Sequence, residues 1–323
     1  MLEPLRVAVI GAGGIAQRYH LPSLTRLRSN GVALDLVAVC DLDPGRAERA
    51  ARQFGFALTY TNYVAMLDAV RPTAVWALVP YPAMREVAGH LLARRVPVLM
   101  EKPPGKDLAE TRELAAIAAD TGTPHQVGLN RRYAPLLRRA KELLAETGPV
   151  EALSCQFLRY DRRESTFAFG TGIHGLDALR FLGPGEVYEV HTRPVGTNGA
   201  LATLVFADGA VAHIEMLPQV GVQMERYTAH AGKRTVVIDG LYGPLTTYPG
   251  YLHCYDGARL SFALKNATTP APPEVVCGFF GESEAFVRAL REGRVPTPSL
   301  AEALRSVEIA QAVQDGVSVA FGR

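Results

Sequence analysis

A run of apolar residues, Val7-Ala8-Val9-Ile10, breaks into Gly11-Ala12-Gly13-Gly14-Ile15-Ala16. Gly11 permits a tight turn after a strand, Gly13 lets a phosphate approach bare backbone, and small Ala16 lets the following helix pack close. A helix starting there offers unpaired N–H groups and the positive end of its dipole to anionic oxygens. A glycine turn alone is weak evidence, so its context must carry the reading. A second apolar run, Leu34 to Cys40, ends in Asp41, 25 residues beyond Ala16, near where this fingerprint expects an acid for a ribose. The pattern predicts a dinucleotide site contacted by Gly11, Gly13, Gly14, Ile15, Ala16 and Asp41. A carboxylate at that strand end accepts both ribose hydroxyls of NAD and repels the extra phosphate of NADP. Arg46, on the next helix, is the competing signal, so NAD is favoured and NADP stays open.

A second cluster is Glu101-Lys102-Pro103, at the end of the fifth predicted strand. With a pyrophosphate over the glycine turn, that strand end lies toward the nicotinamide half of the cofactor. A lysine delivered there by a rigid strand meets a substrate hydroxyl, and partial desolvation would lower its pKa and suit it to proton transfer. A solvated Glu-Lys pair is the equal alternative. His174 taken alone reads as a core or capping histidine, and His20, in the first helix, as structural. Arg131, Arg132 and Tyr133 either line the substrate side or form a polar hinge. The histidines show no HExxH or paired spacing, so no metal is expected.

The elements that position these residues change character near residue 130. Before it, strands are predicted at Leu5–Ile10, Leu34–Cys40, Ala57–Tyr60, Ala74–Val79, Pro97–Met100 and His125–Leu129, with helices over 14–28, 43–54, 62–70, 83–94 and 107–121. Asp107 and Glu110 have capping-box spacing, and Gly122 is a stop. Short apolar strands alternating with helices imply an α/β fold, a doubly wound parallel sheet of Rossmann type with ligands at the strands' carboxyl ends. After it, strand patterns dominate. Leu201–Phe206 and Val211–Met216 flank Asp208-Gly209, a strong hairpin signal. Helices are expected at Ala134–Glu146, His174–Leu182, Glu282–Glu292 and Leu300–Val319. The reading is a dinucleotide-binding domain over 1–128 and, over 129–323, an α+β domain with an open, mostly antiparallel sheet and helices on one side.

Composition narrows the partners. The 323 residues are 48% hydrophobic and 20% charged with net charge +2, ordinary for a globular chain large enough for about two domains. There is no basic tail, acidic block or membrane-span pattern, so neither nucleic acid nor a membrane is expected. Four scattered cysteines without a CxxC pair suit a reducing compartment, and a cytoplasmic location is expected.

The order of these motifs resembles the glucose–fructose oxidoreductase / inositol dehydrogenase (Gfo/Idh/MocA) family over nearly the whole length. The landmarks are Gly11 to Ala16, Val39-Cys40-Asp41 with Arg46-Ala47, Glu101-Lys102-Pro103, Val127-Gly128-Leu129-Asn130-Arg131-Arg132-Tyr133, Thr171-Gly172-Ile173-His174-Gly175-Leu176-Asp177, and Glu284-Ala285-Phe286 to Pro296. The resemblance implies NAD(P)-dependent hydride transfer at a sugar, cyclitol or related polyol carbon, and homodimers or homotetramers. By position it implies Lys102 and His174 as catalytic residues. Pro80 and Glu101 fall beside the cofactor, and Asn130, Arg132 and Asp177 join Lys102 and His174 in contacting substrate. Three positions depart from the family pattern: Gly170 stands where an aspartate is common, Tyr81 where asparagine is, and Met84 where histidine is. These departures leave open a specialised or weakened site, with Asp161 or Asp177 as replacement carboxylates. They also keep two alternatives: a non-catalytic dinucleotide or sugar sensor, and a redox-assisted glycosidase.

Overall fold

The computed structural model describes residues 3–241, 250–266 and 272–322. They form two compact units, Met1–Leu129 with Phe279–Leu304, and Asn130–Gly278 with Arg305–Arg323.

The first unit holds six strands, β1 (Leu5–Ile10), β2 (Leu34–Cys40), β3 (Leu58–Tyr60), β4 (Ala74–Ala77), β5 (Val98–Met100) and β6 (His125–Val127). Their order is β3-β2-β1-β4-β5-β6 and every neighbouring pair is parallel. The apolar runs that predicted β1, β2 and β4 are buried on both faces, as a sheet covered by helices requires. Strand order reverses at β1, so the crevice for a ligand opens at its carboxyl end.

Helix boundaries follow local chemistry. Asp43 accepts from the N–H groups of Gly45 and Arg46, and Asn62 does the same for Val64 and Ala65. The capping box at Asp107 is half formed. Asp107 Oδ1 accepts from Glu110 N at 2.9 Å, but the Glu110 carboxylate turns to Lys106 N instead. Gly122 ends that helix in the left-handed conformation. The first helix starts at Gly14 but contains a wide π turn over Ala16–His20, which the sequence pattern does not announce.

The first unit breaks off after Leu129 and is not continuous in sequence. Residues 279–304 return to it because its core needs them. Phe286 packs edge-on against Trp76 with ring centres 5.2 Å apart, and the Trp76 indole N–H faces Ser283 Oγ at 3.4 Å. At the β6 edge of the sheet, Val127 N donates to Pro298 O at 2.8 Å and Leu300 N to His125 Nε2 at 3.0 Å.

The second unit is built on β7 (Ala152–Leu158), β8 (Val187–Val195), β9 (Gly199–Phe206), β10 (Val211–Leu217), β11 (Met224–Ala231), β12 (Arg234–Asp239), β13 (Tyr251–Asp256), β14 (Arg259–Lys265) and β15 (Val319–Ala320). The sheet order is β14-β13-β12-β11-β7-β10-β9-β8-β15, antiparallel except where β10 meets β7. Helices Pro135–Ala145 and Ile173–Leu182 touch each other and pack on one face. A Cβ at Gly175 would lie 2.8 Å from Ile214 and 2.9 Å from Phe157, so only glycine allows this approach. The hairpin at Asp208-Gly209 forms as expected. The last helix ends at Gln314, short of Val319, because Gly316 turns left-handed and the chain enters β15.

Candidate functional site

The glycine turn has the geometry its residue types predict. Gly11 takes φ +97°, and a Cβ there would sit 2.4 Å from the Leu78 carbonyl oxygen, so no other residue fits without moving β4's exit. Gly13 and Gly14 face open space, with nothing within 4 Å of a built Cβ. That is the bare backbone a pyrophosphate needs beside a helix N-terminus. Ala16 is buried in the core and Ile15 is half exposed at the turn's surface. These residues fit a dinucleotide.

Asp41, at the end of β2, is tied to this turn. Its Oδ2 accepts from Ala12 N at 2.8 Å and its Oδ1 from Asp43 N at 2.9 Å. The carboxylate is thus oriented by two backbone donors while remaining partly open to solvent. Arg46, the competing phosphate-binding candidate, lies 3.4 Å from Asp43 across the first turn of its helix. Neighbouring Arg52 instead takes Glu48. On the other side of β1, exposed Pro80 starts the helix Tyr81–Ala93, and Met84 is fully buried within that helix.

Glu101 and Lys102 follow β5. Glu101 N donates to Ala77 O at 3.0 Å, and Gly128 N to Met100 O at 2.7 Å, so both neighbouring strands fix this turn. The Glu101 carboxylate bridges His20 Nε2 at 2.8 Å and Lys102 N at 3.1 Å. Burial pushes its pKa up, but the His20 hydrogen bond and the charges of His20 and Lys102 outweigh that and hold it below the usual carboxylate value. Lys102 is half-buried and its peptide to Pro103 is cis. His20, expected to be structural, is fully buried and ends the π turn. Its partner lies 81 residues away in sequence, a pairing that no local pattern encodes.

In the second unit the predicted substrate residues are tied into the fold. Asn130 is fully buried, donates to Cys277 O at 2.6 Å and accepts from Arg131 Nη1 at 3.2 Å. Gly278, at φ +91°, lets that strand of backbone come close, since a Cβ there would lie 2.1 Å from Asn130 O. Arg132 and Asp177 pair, and Ser306 Oγ donates to Asp177 at 2.7 Å. His174 is buried, near the start of the helix that carries Asp177.

Sequence reasoning missed the polar center of this unit. Glu225, fully buried on β11, receives Arg131 Nη2 at 2.7 Å, Arg159 Nη2 and the Tyr227 hydroxyl at 3.3 Å. Burial raises its pKa, yet the two guanidiniums bring it down to about 2. The available signal was an acid at an inward position of an alternating strand. Glu164 was missed too. It accepts from Thr171 Oγ1 at 3.1 Å in the turn that holds Gly170, whereas Asp161 is half exposed and paired with Arg163.

Among the described residues no helix is long and apolar enough to cross a membrane, and no group of three metal-ligating side chains occurs.

A parallel sheet with its glycine turn at the switch point and an acid after β2 is the NAD-binding Rossmann class. Residues 5–129 match the family model GFO_IDH_MocA, described as an oxidoreductase family with an NAD-binding Rossmann fold. It is similar to D-glucoside 3-dehydrogenase of Escherichia coli, 34% identical over 132 residues, which cover 41% of this chain and 36% of that protein. The match therefore spans little more than a third of that relative. Similarity to D-apiose dehydrogenase of Paraburkholderia graminis is 25% over 333 aligned positions, covering 94% of this chain and 85% of the other. A dehydrogenase structure from Chromobacterium violaceum shares the fold with a TM-score of 0.82 at 22% identity, covering 98% of this chain and 96% of that one.

Proposed function

We propose that the chain is an NAD-dependent dehydrogenase or reductase acting on a CH–OH carbon of a sugar, cyclitol or related polyol, with NADP a weaker cofactor. The observation that carries this reading is the edge of the six-stranded sheet. It sets the open backbone of Gly13 and Gly14 at the switch point, the Asp41 carboxylate on the β2 side, and Lys102 on the β5 side. The sugar dehydrogenases among its relatives support the substrate class.

When bound, the cofactor supplies hydride chemistry at its nicotinamide ring. The chain's own residues supply the rest. The turn from Gly11 to Ala16 cradles the diphosphate through the backbone N–H groups beyond Ala12, since those of Gly11 and Ala12 go to Cys40 O and Asp41, and Asp41 takes the ribose hydroxyls. Lys102 binds the substrate hydroxyl and moves its proton at Nζ, and His174 is a second proton-handling residue. With their polar atoms already bonded inside the fold, Asn130, Arg132 and Asp177 act by shaping the substrate wall and setting the pose of the His174 helix. A homodimeric or homotetrameric assembly and a cytoplasmic location belong to the same reading.

The test is a panel of polyols and aldoses, followed by formation of reduced nicotinamide. In Lys102→Met turnover should fall by about a hundredfold or more, while NAD affinity by calorimetry stays within about threefold. Turnover that survives both Lys102→Met and His174→Ala would remove the proposed catalytic pair. Gly170, with the saturation of Asp177, favours a second reading, a sensor that binds NAD and sugar without converting them. It predicts full NAD binding with no turnover of any substrate in the panel. Release of an aglycone without net reduced cofactor would instead mark a redox-assisted glycosidase.

A further inference from the structure

Glu101 and His20 form a pair that the proposed proton transfer does not use. His20 is fully buried, and its ring is held edge-on by Phe279 with centres 5.0 Å apart. It stands at the last position of the π turn Ala16–His20, where the extra residue of a wide turn redirects a side chain relative to an α-helix. That redirection brings Nε2 to 2.8 Å from Glu101 Oε1, and the other carboxylate oxygen accepts Lys102 N. An ionised carboxylate only accepts hydrogen bonds, so Nε2 carries the proton of this contact. The same helix begins at the glycine turn, so one element links the diphosphate cradle to the carboxylate.

The position of that carboxylate along the sheet edge has a chemical meaning. A dinucleotide crosses this edge with its diphosphate at β1, and Asp41 marks the β2 side as the adenosine half. Glu101, after β5, therefore stands on the nicotinamide side. The oxidised ring carries a positive charge and the reduced ring carries none. Against the constant background of the neighbouring His20 and Lys102, the fixed Glu101 carboxylate attracts the first more than the second.

We propose that His20 is a positioning residue for the nicotinamide half: by gripping Glu101 Oε1 it fixes a carboxylate that favours the oxidised cofactor over the reduced one. This inference rests on reading the chain as a nicotinamide-dependent enzyme and adds to it a preference between the two redox forms. An enzyme built this way holds NAD ready for alcohol oxidation and releases the reduced product.

The experiment is calorimetric titration of the full chain with NAD+ and, separately, NADH, for the parent protein and Glu101→Gln, His20→Asn and His20→Gln. The quantity read is the ratio of the NADH Kd to the NAD+ Kd. Glu101→Gln should lower it about five- to tenfold. His20→Asn, whose amide nitrogen sits where Nδ1 was, should lower it by about threefold or more. His20→Gln restores a donor near the Nε2 position and should return the ratio to within about twofold of the parent. A merely structural histidine would change both affinities together and leave the ratio in place. If His20→Asn does not fold, His20→Leu takes its place with the same expectation. A ratio unmoved by Glu101→Gln, or lowered there but unmoved by the histidine variants, overturns the proposal, as does a failure of the parent to bind either form. Parent protein that binds with the expected ratio but oxidises no polyol sinks the substrate reading and leaves this one standing.

Discussion

Arg132 and Asp177 meet as a fork on a carboxylate, Nε to Oδ2 and Nη2 to Oδ1, both at 2.8 Å. With Ser306 added, three donors converge on a carboxylate that is only 1% exposed. The pair thus ties the Asn130–Tyr133 turn to the helix that bears His174. Asp177→Asn should cost about 3–5 kcal/mol in urea unfolding, because it leaves a guanidinium without its counter-charge. Arg132→Lys should also destabilise, since an ammonium cannot reproduce the fork. A cost below about 1 kcal/mol for Asp177→Asn would place this pair with ordinary surface ion pairs.

Glu225 gives the second unit a defined acid limit. Its folded pKa, about 2, lies below the ordinary value of 4.5, so the folded state binds its proton more weakly than the unfolded chain. The stability it contributes is fully present above about pH 4.5 and is lost as pH falls through about 2. Urea midpoints measured across that interval should decline in the parent protein. In Glu225→Gln they should start lower at neutral pH, with two guanidiniums left facing an amide, and show less decline. An unchanged acid slope in that variant would assign the decline to other carboxylates.

The glycine turn separates folding from binding. Gly13→Ala adds a methyl group to open space, so its melting temperature should stay within about 2 °C of the parent. Its NAD Kd should rise about tenfold, because the methyl occupies the approach of the diphosphate. Gly11→Ala meets the Leu78 carbonyl at 2.4 Å in a positive-φ conformation and should lose about 2–3 kcal/mol of stability as well. Equal effects of the two substitutions on melting would contradict this division.

Asp41 should not behave as a simple specificity switch. Its carboxylate binds Ala12 N and Asp43 N besides standing where the ribose is proposed to lie. Asp41→Ala should therefore weaken NAD by about tenfold or more without raising NADP affinity to the parent's NAD level. Titrations with both cofactors decide this. A clean exchange of preference would mean that the backbone bonds are dispensable and that Arg46 leaves Asp43 to take the phosphate.

Legibility followed the range of the interactions. Strands β1 and β2 match expectation to the residue because their apolar runs end abruptly at Gly11 and Asp41. Asp43, Asn62 and Gly122 mark helix ends through contacts a few residues away. Strand β13 escaped notice although Leu252 and Cys254 alternate with polar Tyr251, His253 and Tyr255, because its apolar positions are few. At the site, Gly11 to Ala16, Asp41 and Lys102 stood out as candidates by residue type and spacing. Their supports did not: His20 with Glu101, Arg131 and Arg159 with Glu225, and Glu164 with Thr171 are pairings of tertiary structure. Asn130 and Asp177 were named as substrate contacts, and what the sequence left unseen was how fully internal partners occupy them.

The return of Phe279–Leu304 to the first unit bears on how the chain is born. Trp76 waits for Phe286, which is 286 − 76 = 210 residues later, so a ribosome delivers most of the message before that indole is covered. Until Phe286 arrives, a nascent sheet leaves the Trp76 face without its cover, the kind of exposed apolar surface that favours aggregation. The same debt falls on anyone expressing a fragment that stops at Leu129.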